Sequence, residues 1–266
     1  MLAALRVLPF LVQLHMRATM EYRGGMILGW ISMAFSYASV YTAIALIVLR
    51  FDDIGGWVWS EMALLLSFHL LGYSLGAAFS FVQFRQLEDI VRLGTFDALM
   101  VKPISPWAYL AFSGFNIGYA GHITLALPLM IWALTQAGIE WSPALVLYLV
   151  CALVSSALTT AAIITGIGAS ALVWVRSRHL YFIYFGFWEL ARYPLNIFPG
   201  LIQVIMVTLV PLAFMSYVPA AVLLGKDVPV LGPAAAPLAL AAGPVATLLA
   251  MLYWRWCVRN YQGAGG

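Results

Sequence analysis

Long runs of uncharged residues constrain this chain more than any other feature of its sequence. From Met26 to Leu49 no charged residue occurs, and further apolar runs follow along the chain. A bilayer with a hydrocarbon core about 30 Å thick needs about 20 apolar residues per spanning helix. Hydrophobic residues make up 64% of the chain and charged residues 9%, a balance that no water-soluble domain of this size needs. We therefore predict an all-α membrane protein with six transmembrane helices, at residues 26–49, 57–84, 106–137, 143–175, 197–217 and 231–254.

The first 25 residues have the pattern of an amphipathic helix that lies in the membrane interface. Its polar residues fall on one side of a helix: Arg6, Gln13, Arg17 and Glu21. Gly24-Gly25 is expected to close it. This gives an interfacial helix at 1–25 and a transmembrane domain at 26–262. A second short interfacial helix is predicted at 180–193, before the fifth span.

The basic residues indicate the orientation of the chain. With the amino terminus inside, eleven of the 13 Lys and Arg residues lie in cytoplasmic segments: Arg6, Arg17, Arg23, Arg85, Arg92, Lys102, Arg176, Arg178, Arg192, Arg255 and Arg259. Only Arg50 and Lys226 lie outside. Such a bias is typical of the positive-inside rule. Both termini are therefore predicted to be cytoplasmic in a multi-pass protein of the inner membrane.

The longest polar interval, 85–105, follows the second predicted span. Glu88 precedes Arg92 by four residues, and an apolar side is formed by Leu87, Ile90 and Val91. This pattern predicts a short amphipathic helix. The turn after it, Gly94-Thr95-Phe96-Asp97, is expected to expose Phe96 and Asp97, which suits insertion into the groove of a partner. An ordinary solvated loop helix is the alternative.

Four ionisable residues are expected nearest the membrane interior: Glu61, His69, His122 and Glu189. A charge there costs a few kcal/mol unless it faces water, protein or a partner. They are candidates for lining a substrate path. Headgroup-level carboxylates and histidines that hydrogen-bond between helices are an equally good interpretation. No pair has metal-ligand spacing, and no catalytic set is predicted.

Small residues recur every four positions in two of the predicted spans. They are Gly72, Gly76 and Ser80 in the second span and Gly114 and Gly118 in the third. This spacing is typical of helix faces whose backbones approach closely. It predicts helix contact and no particular function.

The sequence contains no phosphate-binding loop, because Gly225-Lys226 is followed by Asp227 and lacks the earlier glycine of that motif. If ATP drives this protein, another chain binds it. The net charge of +3 is small and the basic residues are scattered. Nucleic acid is therefore not an expected partner.

Two groups of residues carry a resemblance to a known family. The first is Gly94, Phe96, Asp97, Leu99 and Pro103, and the second is Tyr193-Pro194, Phe198-Pro199, Pro211, Tyr217, Pro219 and Leu223-Leu224-Gly225. In this order they resemble the membrane subunits of ABC type-2 exporters, the compact six-span bacterial permeases that usually pair with a second, related permease.

The resemblance implies a cytoplasmic coupling helix at about 85–98, here named the coupling segment, and a connecting helix at the amino terminus. The coupling segment would dock on a separate nucleotide-binding ATPase subunit through Arg85, Glu88, Asp89, Arg92, Gly94, Thr95, Phe96 and Asp97. ATP and Mg²⁺ would be bound by that partner. Two permeases in the lipid bilayer would enclose a path for drugs, organic cations, lipids or glycans.

Two other functions remain open at this point. An ion- or proton-coupled carrier would use Glu61, His69 and His122 as coupling groups, but no inverted repeat is evident in the sequence. A membrane anchor or assembly factor that transports nothing is the third possibility.

The orientation is tested by labelling single cysteines from outside the cell. Cysteines at Asp53 and Asp227 are expected to react with an impermeant reagent, and cysteines at Arg92 and Arg259 are expected to be protected. The reverse pattern of labelling would refute the proposed topology.

Overall fold

The computed structural model describes the backbone of residues 2–263 and the side chains of residues 7–263, so Met1 and the Arg6 side chain lie outside the described residues. The predicted all-α fold is confirmed, since one antiparallel bridge between Ile54 and Trp57 is the only β feature in the described part. The helices are α1 (Leu2–Glu21), α2 (Arg23–Phe51), α3 (Trp59–Ala77), α4 (Phe81–Arg85), α5 (Leu87–Arg92), α6 (Phe96–Met100), α7 (Pro106–Ser113), α8 (Ala120–Gln136), α9 (Pro143–Ala169), α10 (Ala171–Trp174), α11 (Arg178–Leu190), α12 (Gly200–Thr208), α13 (Tyr217–Leu223) and α14 (Ala235–Arg259). Short 3₁₀ turns lie at Ile117–Tyr119, Leu195–Ile197, Leu212–Phe214 and Gly232–Ala234.

Four helical segments of the described chain are long and apolar enough to cross a membrane. They are Arg23–Phe51, Ile117–Gln136, Pro143–Trp174 and Gly232–Arg259. They cover the predicted first, fourth and sixth spans and most of the third. The chain therefore has the character of a multi-pass membrane protein, and the count of six spans stays a prediction.

Helix α3 forms the centre of the bundle. Every residue from Met62 to Ser74 is buried, and the helix packs against α8, α9, α2 and α13. Protein surrounds it on all sides, which explains how it carries Ser67, His69 and Ser74 in an otherwise apolar sequence.

Serine followed by proline sets the start of two helices. The Ser142 hydroxyl accepts a hydrogen bond from the Leu145 N–H at 3.2 Å, and Pro143 begins α9. Ser105 likewise accepts from the Ala108 N–H at 3.2 Å, and Pro106 begins α7. Serine satisfies an N–H that lacks a helical partner, and proline has no N–H to leave unsatisfied.

Three predicted boundaries are wrong. Gly24-Gly25 lies inside α2, and the break after α1 falls at Tyr22. The second span, predicted to reach residue 84, ends as α3 at Ala77 and resumes after a turn as α4. The third span is interrupted at 114–116, because the backbone N–H of Asn116 leaves the helix and donates to the carbonyl of Ala78 at 2.9 Å.

The small residues of the two predicted packing faces have different neighbours. A Cβ on Gly72 would overlap the Ser156 side chain of α9, and one on Gly76 would overlap the Ala157 carbonyl of the same helix. The Ser80 hydroxyl donates to the Gly76 carbonyl at 2.8 Å. Gly114 and Gly118 instead lie at the interruption of the third span, where Gly114 makes room for the Gln83 side chain and Gly118 for that of Asn116.

The predicted helix over 197–217 is wrong as a continuous span, because two prolines divide this region. Helix α12 begins after Pro199 and ends before Pro211, and α13 follows it. At the turn between them, the Ser156 hydroxyl of α9 donates to the Met215 carbonyl at 2.6 Å. Lys226, just after α13, donates to the Gly56 carbonyl at 2.9 Å. Asn196, just before α12, reaches the neighbouring Gly55 carbonyl. The chain therefore enters and leaves the bundle on the same side, and we name residues 199–226 the re-entrant hairpin.

Helix α11 is not the interfacial element predicted at 180–193. Its first residue, Arg178, contacts Asp89 of the coupling segment, at what we name the coupling end of the bundle. Halfway along α3, the ring of His69 hydrogen-bonds the Trp188 carbonyl at 3.0 Å. Asn196 then reaches the Gly55 carbonyl at 2.7 Å, at the opposite or far end. Residues 178–196 thus connect the two ends.

This course of the chain changes how the basic residues are divided between the two predicted sides of the membrane. Arg192 lies between the middle of the bundle and the far end, so it no longer belongs to the predicted cytoplasmic group. Ten basic residues then lie on the predicted cytoplasmic side and two outside, and Arg192 is counted on neither side. The bias keeps its direction.

The contact between α3 and α9 is tested by replacing one glycine. We expect Gly76→Ala to destabilise the purified protein by about 1–3 kcal/mol because a methyl group cannot fit against the Ala157 carbonyl. Gly29→Ala in α2 is the control, since nothing lies within 4 Å of a Cβ there. Thermal unfolding followed by tryptophan fluorescence measures both, and equal melting temperatures would contradict the close contact.

Candidate functional site: the coupling segment and the buried aromatic cluster

The coupling segment folds as two short helices joined by a glycine turn. Gly94 has φ of 69°, a conformation that favours glycine. Its N–H donates to the Val91 carbonyl at 3.0 Å, and the Thr95 N–H donates to the Ile90 carbonyl at 3.0 Å. This is the Schellman arrangement that closes a helix. The Thr95 hydroxyl also donates to the Ile90 carbonyl, at 3.1 Å.

The expected exposure of Phe96 is wrong. Its side chain is 0% exposed and packs edge-on against Tyr261 and Trp254 at the end of α14, with ring centroids 4.9 and 6.4 Å apart. Leu87 and Val91 are buried too. The apolar side of the segment therefore faces its own bundle, because α14 extends far enough to cover it.

Other apolar residues are exposed at this end. Leu93 is 69% exposed, Val101 is 84% exposed and Met100 is about half exposed. Leu93 precedes the Gly94 turn, Met100 ends α6 and Val101 follows it. These three side chains, and not Phe96, are the exposed large apolar side chains next to the Gly94 turn and at the end of α6.

The acidic residues of the segment bind the beginning of α11. The Glu88 carboxylate accepts hydrogen bonds from the backbone N–H groups of Ser177 and Arg178, both at 2.9 Å. Asp89 forms an ion pair with the Arg178 guanidinium and a second one with Arg92 at 3.1 Å. Because the first N–H groups of a helix lack partners and carry partial positive charge, Glu88 acts as an anionic cap. The two elements are thereby joined.

Arg85 and Asp97 lie at the two borders of the segment. The Arg85 guanidinium stands 5.6 Å from the ring centroid of Phe81. Asp97 is exposed and lies near Tyr261 and the Gly263 backbone. Burial, and then the Asp97 carboxylate, raise the pKa of Tyr261 above its ordinary value.

His69 and His122 belong to one aromatic cluster in the middle of the bundle. The His69 and Trp188 rings are 4.3 Å apart, Trp188 and Tyr73 are 4.9 Å apart, and Tyr73 and His122 are 5.9 Å apart. Tyr119 stacks on His122 at 5.3 Å. The Nδ1 atoms of both histidines are buried without a hydrogen-bond partner among the described residues. The cluster therefore contains polar atoms that water or another ligand could satisfy.

Glu61 lies apart from this cluster, at the far end. Its carboxylate accepts from the Val58 N–H at 3.0 Å, which caps α3, and pairs with Lys226 at 3.0 Å. It joins the start of α3 to the end of the re-entrant hairpin. Glu61 and the histidines therefore lie at different depths of the bundle, and their role in a substrate path stays a prediction.

Glu189 lies next to the cluster and faces away from it. The residue pairs with Arg192, whose guanidinium lies 4.8 Å from the Trp188 ring centroid. The Glu189 side chain is 55% exposed. On the same face of α11, Phe182 is exposed and Gly186 has nothing within 4 Å of a Cβ.

Several residues of these sites were not found by sequence reasoning. Ser177 and Arg178 were taken as a solvated loop, and Trp188 and Arg192 as part of an interfacial helix. One signal was available, since Tyr181, Tyr184 and Trp188 recur at helical spacing and all three are buried. The hydrogen bond between Glu88 and the backbone of Ser177, 89 residues later, leaves no such pattern in the sequence.

Comparison with known proteins gives one match. A family model described as an ABC-2 family transporter protein matches residues 34–265, from within α2 to beyond the last described residue. No curated protein and no solved structure matches the chain significantly.

The buried position of Phe96 changes what its removal should do. Phe96→Ala is expected to destabilise the protein by about 3–5 kcal/mol, because it leaves a cavity between the coupling segment and α14. Leu93→Ala is the matched control and should change stability by less than about 0.5 kcal/mol, since Leu93 is exposed. Chemical denaturation of the two purified variants measures the difference, and an unchanged Phe96→Ala protein would contradict the packing described.

Proposed function

The chain belongs to the ABC-2 transporter family, and we propose that it is the membrane-spanning permease subunit of an ATP-driven exporter. A separate nucleotide-binding subunit would bind ATP and Mg²⁺, because this sequence has no phosphate-binding loop. The cargo would be an amphipathic, drug-like, organic-cation or lipid-like molecule that leaves the cytoplasm. Family membership supports the permease role and implies an ATPase partner.

The bond between Glu88 and the start of α11 is the observation that supports this proposal most. An exporter needs a mechanical route from a soluble ATPase to helices inside the membrane. The two hydrogen bonds from Ser177 and Arg178 to Glu88 provide one, because a displacement of the coupling segment would pull directly on α11. An anchor protein has no need for such a route.

The docking site for the ATPase is proposed to include Leu93, Met100 and Val101. These side chains are exposed at the coupling end, where the bundle is expected to leave the membrane. Burying three apolar side chains against a partner would stabilise the complex, each by up to about 1.5–3 kcal/mol if fully covered. Phe96 would support this surface from inside the protein.

The proposed topology keeps six crossings and reassigns one of them. The crossings would be α2, α3 with α4, α8, α9 with α10, the segment 178–196, and α14. Both termini would lie in the cytoplasm of a bacterial cell and the protein in its inner membrane. The re-entrant hairpin would then lie on the outer side, between the fifth and sixth crossings.

A second permease would cover the exposed face of α11. Glu189 is half exposed on this face, although Trp188 beside it contacts His69 in the middle of the bundle. A carboxylate that faces lipid at this depth is costly. A second permease, either identical or related, would exclude lipid here and leave a path for the cargo between the two subunits.

The experiment compares Glu88→Ala with Glu140→Ala in the complex formed with the ATPase partner. Glu140 is an exposed acidic residue of the far-end loop, so it controls for the loss of one carboxylate. Losing an amino-terminal cap weakens the link by about 0.5–2 kcal/mol. We therefore expect Glu88→Ala to reduce substrate-stimulated ATP hydrolysis at least fivefold while the partner still binds.

Three results of this experiment would count against the proposal. They are full stimulation in the Glu88→Ala complex, an equal loss in Glu140→Ala, and failure of the tagged wild-type chain to copurify with any ATP-binding protein. The first two would refute the coupling route. The third would refute the exporter assignment itself.

A further inference from the structure

A partly open cavity of about 490 Å³ lies at the coupling end, lined by α1, α4, the coupling segment and α7. This volume is far larger than the share of one water molecule in liquid, about 30 Å³, and lies in the range of small-molecule sites. His15 of α1 forms part of its wall. On the same helix Phe10 and Leu14 are exposed, as expected of a helix in the membrane interface. The cavity is therefore within reach of molecules in the adjacent leaflet.

One wall of the cavity carries neutral polar side chains. Gln83 is 4% exposed, and its Nε2 donates to the Ala111 carbonyl at 3.2 Å, which fixes the orientation of the amide. Its Oε1 is shielded from the cavity and has no hydrogen-bond partner in the described protein, so the amide supports the wall and does not itself meet a ligand. The side chains of Gln86, Tyr109 and Ser113 line the same space, are at least partly exposed and make no hydrogen bond to any described residue. A ligand with several hydroxyl groups could bond to these three side chains.

The charge of the lining limits the class of ligand. The described lining residues include no Asp, Glu, Lys or Arg, and His15 is the one basic side chain among them. A phosphate would need Lys or Arg. A quaternary ammonium would need a carboxylate or a free aromatic face, and the ring of Tyr109 already has the Lys102 ammonium 4.6 Å from its centroid.

Apolar side chains complete the cavity. Val82, Ile90 and Leu99 line it together with the neutral amide and hydroxyl groups. Sugars and polyols match such a mixture, because they present hydroxyl groups at their edges and C–H groups on their faces. We propose that this cavity binds the uncharged, hydroxyl-bearing head group of a sugar or polyol compound. The inference does not rest on the exporter function, since it concerns binding by this chain alone.

The test measures binding of radiolabelled octyl glucoside to the full chain in phosphatidylcholine nanodiscs. Binding to empty nanodiscs is subtracted, and the ligand is kept at concentrations that leave the discs intact. Saturable binding at one site per chain is expected. Tyr109→Phe and Ser113→Ala should each weaken it about fivefold, the effect of losing one hydrogen bond of about 1 kcal/mol. Gln136→Leu, at the exposed end of α8, should bind as the wild type does.

Competition identifies the chemistry and the source of the ligand. Octyl phosphate and octyl trimethylammonium are expected not to displace the glucoside. If free glucose displaces octyl glucoside, the ligand is a soluble sugar. If free glucose does not displace it, the ligand is a lipid head group. Thermal unfolding of Tyr109→Phe and Ser113→Ala checks that both variants fold as the wild type does. Equal displacement by the charged compounds, or unchanged binding in the folded variants, would overturn the proposal.

Discussion

The Glu88 carboxylate accepts two backbone N–H groups at the beginning of α11, and the rest of the proposed mechanism depends on this contact. The first turn of a helix has N–H groups that no helical carbonyl can reach. Here a residue of the coupling segment satisfies them, and the Asp89–Arg178 ion pair reinforces the contact. The coupling segment cannot shift without either moving α11 or leaving these N–H groups without a partner.

The same segment is also attached to α14, through Phe96, Trp254 and Tyr261. Helices α11 and α14 are the two that flank the re-entrant hairpin in the chain. The hairpin is joined to the end of α11 by the Ser216 hydroxyl, which donates to the Ala191 carbonyl at 2.7 Å, and α13 of the hairpin packs against α14. At the far end the Lys226–Glu61 pair joins it to α3 as well. A displacement at the coupling end would therefore reach the hairpin through both neighbours. This connects the proposed ATPase surface with the opposite side of the membrane.

The sequence was sufficient where local chemistry decides the structure. Charge-free runs located the long helices α2, α9 and α14, and the Gly94 turn was recognised from its residues. The sequence was insufficient where contacts between distant residues decide the structure. Phe96 looked exposed because nothing near it in sequence shows that Trp254 and Tyr261 cover it. The run 197–217 is apolar enough for a span, yet Pro199 and Pro211 divide it and α9 holds its turn within the bundle. Among the candidate site residues, the histidines stood out as ionisable residues within apolar runs, whereas Ser177 and Arg178 act through backbone N–H groups that every residue except proline possesses.

The proposed mechanism requires the coupling segment and α11 to move as one body when the ATPase closes. Electron-spin distance measurements in the assembled complex follow this motion, with labels at Ala98 of the coupling segment, Ile183 of α11 and Ile131 of α8, which are exposed and are not among the residues named for the ATPase and permease contacts. Addition of a non-hydrolysable nucleotide should leave the Ala98–Ile183 distance unchanged, while the distances from both labels to Ile131 change. An Ala98–Ile183 distance that changes with nucleotide, while Ile183 and Ile131 keep their separation, would contradict motion as one body.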